Sequence, residues 1–470
     1  MSRKILIDRG LYETRIAATL DEKLTDLIIE PNDRKSLFGN IYLGRISRFS
    51  DAMDAAFIEY GGETSGLLLG RDTQTTSSVD KATQIRQKRN EGEKFPVQVI
   101  KDPTGDKPAQ LSSFIEFESQ NLVYKPFAKD IVFSKKLKDK SSKQELQDTL
   151  GPFEGGLTVR SSALNKSTDH LIQEFDDLQK QWQEVSSNAS EGKTPRLLQA
   201  TPPTALKLFN RYHDEAPEVI INDVAHYQKL NSALNSRGIP TVSCTLWTKP
   251  DLLFDYYQVE AQIEEAHQIR LQLPSGGNIT IEETEALVVV DVNSGSAGKP
   301  IGLRTPAFRT NEEAASLLAE HLILRNLSGI VIVDFIQMSN KEDNREIENL
   351  LRKVTRNDPS QVRVIGMTEL GLMQLTRQRK LPSISMSAKN MMNCGVASIP
   401  ISVASDLLRN LQRFAAEAKT RQIGVKASKK LSPLLLDQQQ AIETSLSLSL
   451  SWKEEPSLEG LNYTLNDGRT

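Results

Sequence analysis

The chain changes its hydrophobic period several times, and each change marks an element. Near the start, Lys4-Ile5-Leu6-Ile7 reads as a short strand. Glu13 to Ile29 alternates roughly and breaks at Asp21-Glu22-Lys23, which predicts strands joined by a turn. Residues 38–116 alternate more cleanly, at Asn40-Ile41-Tyr42-Leu43-Gly44-Arg45-Ile46 and again at Ala55-Ala56-Phe57-Ile58-Glu59-Tyr60. Gly61-Gly62 and Gly66 punctuate a hairpin, a polar stretch covers roughly 71–94, and Phe95-Pro96-Val97-Gln98-Val99-Ile100 resumes as a strand. Short strands at this spacing predict a small OB-type barrel. Residues 119–200 mix strands, such as Leu157-Thr158-Val159-Arg160, with a long polar helix around Leu171–Val185. Residues 203–265 are mixed α/β, with a strand at Glu218-Val219-Ile220-Ile221.

Residues 269–380 form the clearest α/β unit. Ala286-Leu287-Val288-Val289-Val290-Asp291 and Gly329-Ile330-Val331-Ile332-Val333-Asp334 are continuous, β-branched and too short for helices, so each predicts a buried strand ending on an aspartate. Between them lies a helix, with Thr310 and Glu313 at capping-box spacing and Ala314, Leu317, Leu318, His321 and Leu322 on one face. A right-handed β-α-β crossover returns the second strand parallel to the first, which puts Asp291 and Asp334 on one edge. His321 reads as a core histidine. The tail, 397–470, predicts a helix at Ala404–Lys419 and a strand at Leu446-Ser447-Leu448-Ser449-Leu450-Ser451.

A carboxylate at the end of a buried strand is costly unless it is paired or holds a metal. One such aspartate is ordinarily an ion pair or a helix cap. Two on one edge, with Asn293 two residues beyond the first, also suit a divalent cation, because magnesium takes one or two carboxylates together with substrate phosphate. Spacing leaves both readings open.

Composition narrows the class. With 470 residues the chain has room for several domains, and its net charge of −3 excludes a basic nucleic-acid coat, so any nucleic acid must be held by local patches. Two distant cysteines, Cys244 and Cys394, exclude a disulfide framework. The first residues lack a signal-peptide core, and no apolar run approaches the roughly 20 residues of a membrane span, so a cytoplasmic location is expected.

Several motifs, in order, resemble the bacterial ribonuclease E/G endoribonucleases. Leu273-Pro274-Ser275-Gly276-Gly277-Asn278-Ile279-Thr280-Ile281, Asp291-Val292-Asn293-Ser294 and Ile332-Val333-Asp334-Phe335-Ile336-Gln337-Met338 carry the resemblance in the α/β unit. Asn40 to Ile46, Asp54 to Gly61, Thr158-Val159-Arg160-Ser161 and Tyr257 to Glu264 extend it over most of the chain.

The resemblance implies a multidomain α/β plus β architecture. An RNase H-like fold (1–37 and 203–268) contains an inserted S1-type OB domain (38–118) and a 5′-sensor domain (119–202). A DNase I-like catalytic subdomain (269–385), a degenerate zinc-link linker (386–396) and a small C-terminal α/β domain (397–470) follow. It further implies that Asp291 and Asp334 bind catalytic Mg2+, with Asn293 orienting Asp291 or the water. The implied reaction is hydrolysis of single-stranded RNA to 5′-phosphate and 3′-hydroxyl ends, in rRNA and tRNA processing or mRNA decay. Phe57 is the implied base platform, although its position between Ala56 and Ile58 equally suits barrel core. Arg45 and Lys107 are implied phosphate contacts, and Arg160 with Ser161 the implied 5′-monophosphate sensor.

Three departures from the family pattern stand out. Where relatives have a second aromatic, this chain has Gly66-Leu67-Leu68. Where they have a glycine in the loop beside the sensor, it reads Glu116-Phe117-Glu118-Ser119. Where they carry a Cys-Pro-x-Cys zinc half-site, it has only Cys394, so no zinc is expected and a homodimer must use other contacts or be lost. From its length, neither the scaffold tail nor the membrane-binding helix of the larger relatives is expected. These departures motivate an alternative, a catalytically weak or inactive RNA-binding paralogue; a DNA nuclease fits the motifs less well.

Overall fold

A computed structural model describes all residues except 1, 34–35, 75–83, 104–106, 120, 135–139, 151, 161–162, 164–165, 191, 202–203, 213–214, 236–243, 296–304, 339, 381–382, 386–390, 395–396 and 469–470. The chain divides into two compact units, Met1–Lys35 with Tyr212–Thr470, and Ser36–Arg211.

The second unit contains a closed barrel. Strands Ile41–Ser50, Ala55–Glu59, Gly66–Leu69, Gln110–Ser112 and Lys94–Lys101 pair in that order, and Ile41–Ser50 closes onto Lys94–Lys101. All barrel pairings are antiparallel except that of 66–69 with 110–112. Ile46, Ala56, Ile58, Leu68, Val97 and Leu111 fill the interior. The expected OB-type barrel is therefore present. Beside it in this unit is a four-stranded sheet ordered Ile131–Phe133, Gly156–Val159, Leu122–Lys125, Phe117–Glu118. The helix Thr168–Ser190 buries Leu171, Phe175, Leu178 and Val185 and extends beyond both ends of the polar segment read from sequence.

The first unit carries three principal sheets. A five-stranded sheet has the order Cys244–Leu246, Glu218–Ile221, Arg3–Arg9, Glu13–Leu20, Lys23–Pro31, with the first three strands parallel. A three-stranded C-terminal sheet is built from Gln422–Ala427, Ser449–Glu454 and Tyr463–Asp467 under helices Ile401–Ala418 and Ser432–Leu446. Here the sequence reading needs correction. Leu446 ends a helix, and the strand begins at Ser449 after Ser447 turns the chain with φ 54°.

The third sheet has six strands in the order Arg270–Gln272, Asn278–Glu283, Leu287–Asn293, Gly329–Asp334, Met373–Arg377, Val362–Met367. Helices Pro306–Leu324 and Lys341–Val354 cover one face of it, packing Ala314, Ala315, Leu318, Leu322, Ile347 and Leu351 against Val288, Val290, Val331 and Val333. The other face is open. Val289 is 36% exposed and Ile330 49%. The two aspartate strands are thus half-buried, contrary to the expectation from their uninterrupted apolar sequence. β-branched residues suit the pleat on either face, so composition did not distinguish a covered sheet from a one-sided one.

The crossover helix also starts earlier than expected. Thr305 is its N-cap, with its side chain accepting from the Phe308 amide, and Pro306 occupies the first turn. Thr310 Oγ1 instead donates to the Pro306 carbonyl, and Glu313 accepts from the Ser275 amide. His321 is buried as expected and accepts from Arg325 Nε through Nδ1 at 3.0 Å. Burial and the adjacent guanidinium hold its pKa down to about 4.

Candidate nuclease site

The strands Leu287–Asn293 and Gly329–Asp334 run parallel, and their register places Asp291 directly opposite Asp334. Adjacent strands lie about 4.8 Å apart, so the two carboxylates are immediate neighbours on one face. Both are exposed, on the sheet face opposite the helices. Asn293 lies on the same face two residues on, and its Nδ2 donates to Asp291 Oδ2 at 2.7 Å. The edge is built as the crossover argument required. The burial argument falls away, because neither carboxylate is desolvated. Among the described residues, what remains is two like charges held side by side, with the Asn293 amide donating to one of them.

That arrangement suits a hard cation. The donors are all oxygens, two carboxylates and an amide carbonyl, and the open face leaves room for the waters that magnesium retains. Among the described residues no group of three or more His, Cys, Asp or Glu is placed to hold a metal. The candidate is therefore a two-carboxylate site that relies on solvent and substrate for the rest of the shell.

Two supports of this edge are not evident from the aspartate pattern. The first is the glycine turn of the 273–281 segment. Gly276 has φ +85°, and a Cβ on Gly295 would lie 2.0 Å from the Gly276 carbonyl oxygen. A Cβ on Gly277 would lie 2.6 Å from the Asn293 carbonyl oxygen. The turn therefore packs backbone to backbone against the end of the Asp291 strand, which only glycine permits. The second support is Asn311, fully buried on the crossover helix. Its Nδ2 donates to the Ile336 carbonyl at 2.8 Å and its Oδ1 accepts from the Ile336 amide at 3.0 Å. It pins the chain two residues beyond Asp334. An asparagine among the apolar residues of a helix was the available signal.

The sequence-derived RNA-binding and sensor residues belong to the other unit. Phe57 is partly buried and is not among the residues of the barrel's buried core. It pairs across the sheet with Leu67 on one side and Arg48 on the other. The Arg48 guanidinium carbon sits 4.1 Å from its ring centroid, a cation–π contact that the sequence reading missed. Arg45 is exposed on the same strand as Arg48, in register with Glu59 and Lys94. Lys107 is exposed in the segment before the 110–112 strand. Arg160 follows the 156–159 strand, and Ser161 lies outside the described residues. Cys394 is on the hairpin Met391–Cys394/Ala397–Pro400, opposite Ala397, and its side chain also lies outside those described.

Comparison with known proteins agrees with these features. The family model described as "Ribonuclease E/G family" matches residues 117–380. Ribonuclease G of Escherichia coli (strain K12) is 30% identical over 398 residues, covering 82% of this chain and 81% of that protein. Ribonuclease E of the same organism is 29% identical over 464 residues, covering 94% of this chain and 44% of that protein. Ribonuclease E of Haemophilus influenzae is 28% identical over 453 residues, with 93% and 48% covered. The chain thus spans less than half the length of these Ribonuclease E relatives. With a family match across more than half its length and a 30% identical relative covering about four fifths of both chains, this chain belongs to the ribonuclease E/G family.

Proposed function

We propose that the chain is a magnesium-dependent endoribonuclease whose metal is held by Asp291 and Asp334 and which cuts single-stranded RNA. The observation that carries this reading is the direct register of two solvent-facing aspartates on adjacent parallel strands. Matches to proteins named Ribonuclease G and Ribonuclease E support an RNA substrate. Asn293 fixes the Asp291 carboxylate through its 2.7 Å hydrogen bond, so the pair meets its ligand preorganised. Asp291 and Asp334 would hold the magnesium, which when bound would supply Lewis acidity toward the attacking water and the phosphoryl oxygens. In the reaction, a bond forms from water oxygen to phosphorus, the bond from phosphorus to the 3′ oxygen breaks, and the 3′ oxygen takes up a proton. The products are a 5′-phosphate and a 3′-hydroxyl.

On this reading the barrel face around Phe57 holds a base, with Arg45, Lys107 and Arg48 beside the backbone phosphates. Stacking contributes about 1–3 kcal/mol per base without demanding sequence. The domain boundaries follow the family pattern: RNase H-like at 1–37 and 203–268, S1-type at 38–118, sensor at 119–202, DNase I-like at 269–385, and a C-terminal domain from 397. The protein works in the cytoplasm on rRNA, tRNA precursors or mRNA, and any homodimer is held without zinc or is lost. Among the described residues no helix is long and apolar enough to cross a membrane.

The test is incubation of a 5′-monophosphorylated AU-rich RNA with magnesium, using wild type, Asp291→Asn and Asp334→Asn. Cleavage by wild type that is lost in both variants supports the proposal. Binding without cleavage by wild type would instead make the chain an RNA-binding paralogue.

A further inference from the structure

The Arg160 side chain already has an anion. The sheet order sets the 156–159 strand beside 122–125, and 122–125 beside 117–118. From the end of its strand, Arg160 donates its backbone amide to the Asn121 carbonyl at 2.8 Å. Its guanidinium then reaches across the sheet. Nη1 donates to the Ser119 carbonyl at 2.9 Å and Nη2 to Glu118 Oε2 at 2.6 Å. A planar guanidinium captures a phosphate by offering parallel N–H groups to its oxygens. Here both terminal nitrogens are engaged by the 117–118 strand and the turn after it.

Among the described residues, further carboxylates lie close to this pair. Lys125 pairs with Glu116 at 2.6 Å. Glu174 accepts from the Asn121 amide at 2.8 Å and from Asn121 Nδ2 at 2.9 Å. Among these described residues, two cations thus face three carboxylates. An arriving phosphate dianion would have to displace Glu118 and then lie beside it, and like-charge juxtaposition is a strong element of discrimination. The Arg160 and Glu118 side chains are 36% and 47% exposed, so the pair is reachable by ligand and its own contribution to stability is small. Its consequence lies in recognition.

We propose that Glu118 is a built-in counter-anion for Arg160 that makes this chain indifferent to a 5′-terminal phosphate on RNA. The proposal rests on the reading that this unit binds RNA, and it replaces the family expectation of a 5′-monophosphate sensor at Arg160. Glu118 is then the specificity-determining residue: the carboxylate excludes the ligand that the arginine would otherwise select.

The experiment is a binding comparison without divalent metal, so that cleavage plays no part. A decamer RNA labelled at its 3′ end, carrying either a 5′-phosphate or a 5′-hydroxyl, is titrated with protein and followed by fluorescence anisotropy. Wild type is expected to prefer the phosphate by less than about twofold. Glu118→Gln, isosteric and uncharged, should prefer it by about fivefold to tenfold, on the scale of one charge-assisted hydrogen bond. Glu118→Gln combined with Arg160→Ala should return to the wild-type ratio. Glu118→Ala carries the same expectation as Glu118→Gln, so misfolding of one variant does not empty the test. In parallel, adenosine 5′-monophosphate and adenosine are compared by ligand-observed NMR, which reads the phosphate end without RNA. A fivefold phosphate preference in wild type overturns the proposal, and so does an unchanged ratio in both Glu118 variants. A gain for adenosine 5′-monophosphate in Glu118→Gln, with no RNA bound by any variant, upholds the Glu118–Arg160 assignment and instead sinks the ribonuclease reading.

Discussion

The sheet that carries Asp291 and the sheet that carries Arg160 treat their charges in opposite ways. At the first, two carboxylates stand in register on an open face with an amide as the recorded partner. At the second, a guanidinium is matched by a carboxylate of the 117–118 strand, one strand removed, and by the Ser119 carbonyl just beyond it. On the proposed reading, the contrast separates a charge kept for an external partner from one already paired within the fold. Among the described residues, the two carboxylates have no cation beside them. A neutral pair asks for nothing further. Family resemblance alone would have treated both residue sets as functional.

The comparison can be broken most severely at the aspartates. Asp291→Asn and Asp334→Asn should each lower magnesium-dependent RNA cleavage by about 100-fold or more while leaving the melting temperature equal to or above wild type, since a repulsion is removed. Gel cleavage assays read beside thermal melts decide it. Full activity with a lowered melting temperature would mean that the edge is structural. Chelation of divalent metal should reproduce the loss without unfolding the protein.

A third charge arrangement gives the opposite limit. Arg377 and Asp358 form a 2.8 Å ion pair with side chains each 1% exposed, and Arg377 Nη1 also donates to Asn326 and to the Leu327 carbonyl. Asp358→Ala strands a buried guanidinium and should cost about 3–5 kcal/mol. Denaturant melts would show it, in contrast to the aspartate variants.

His321 sharpens the comparison through pH. Its folded pKa of about 4 lies below the ordinary 6.5, so the unfolded chain binds its proton first. Stability is complete above about 6.5, declines as pH falls toward 4 and then levels, a loss of roughly 3 kcal/mol from this residue. His321→Gln should flatten that segment of the stability curve measured by denaturant unfolding between pH 7 and 4. An unchanged slope would show that other groups set it.

The smallest expected effect is on the stability of the sensor sheet. Glu118→Gln breaks an exposed pair and should change unfolding free energy by less than about 1 kcal/mol. A larger loss would make the pair a structural device, and the comparison with the aspartates would lose its force.

Much of the candidate site was legible in the chain. The β-α-β pattern around 286–334 predicted parallel strands and a shared edge, because crossover handedness leaves few topologies. The barrel was legible from alternation. The start of the crossover helix was misread because Thr310 and Glu313 have capping-box spacing, whereas Thr305-Pro306 supplies the stronger start in the folded chain. The C-terminal strand was misplaced because Leu446 to Leu450 alternates across a helix end and a strand start. The partial burial of Phe57, the Arg48 contact over its ring and the bond from Arg160 to Glu118 depend on which strands become neighbours. Local pattern does not encode that.

The sequence by itself determined the period of each element, the order of the family motifs and the parallel return that brings Asp291 to Asp334. Those follow from side-chain alternation and chain connectivity, which are local or nearly so. Tertiary structure decided which charges are answered. The open face around Asp291, the closed pairing of Arg160 with Glu118 and the burial of Asp358 against Arg377 each arise between segments separated along the chain. An electrostatic partner is chosen by distance in space, and distance in space is what folding supplies.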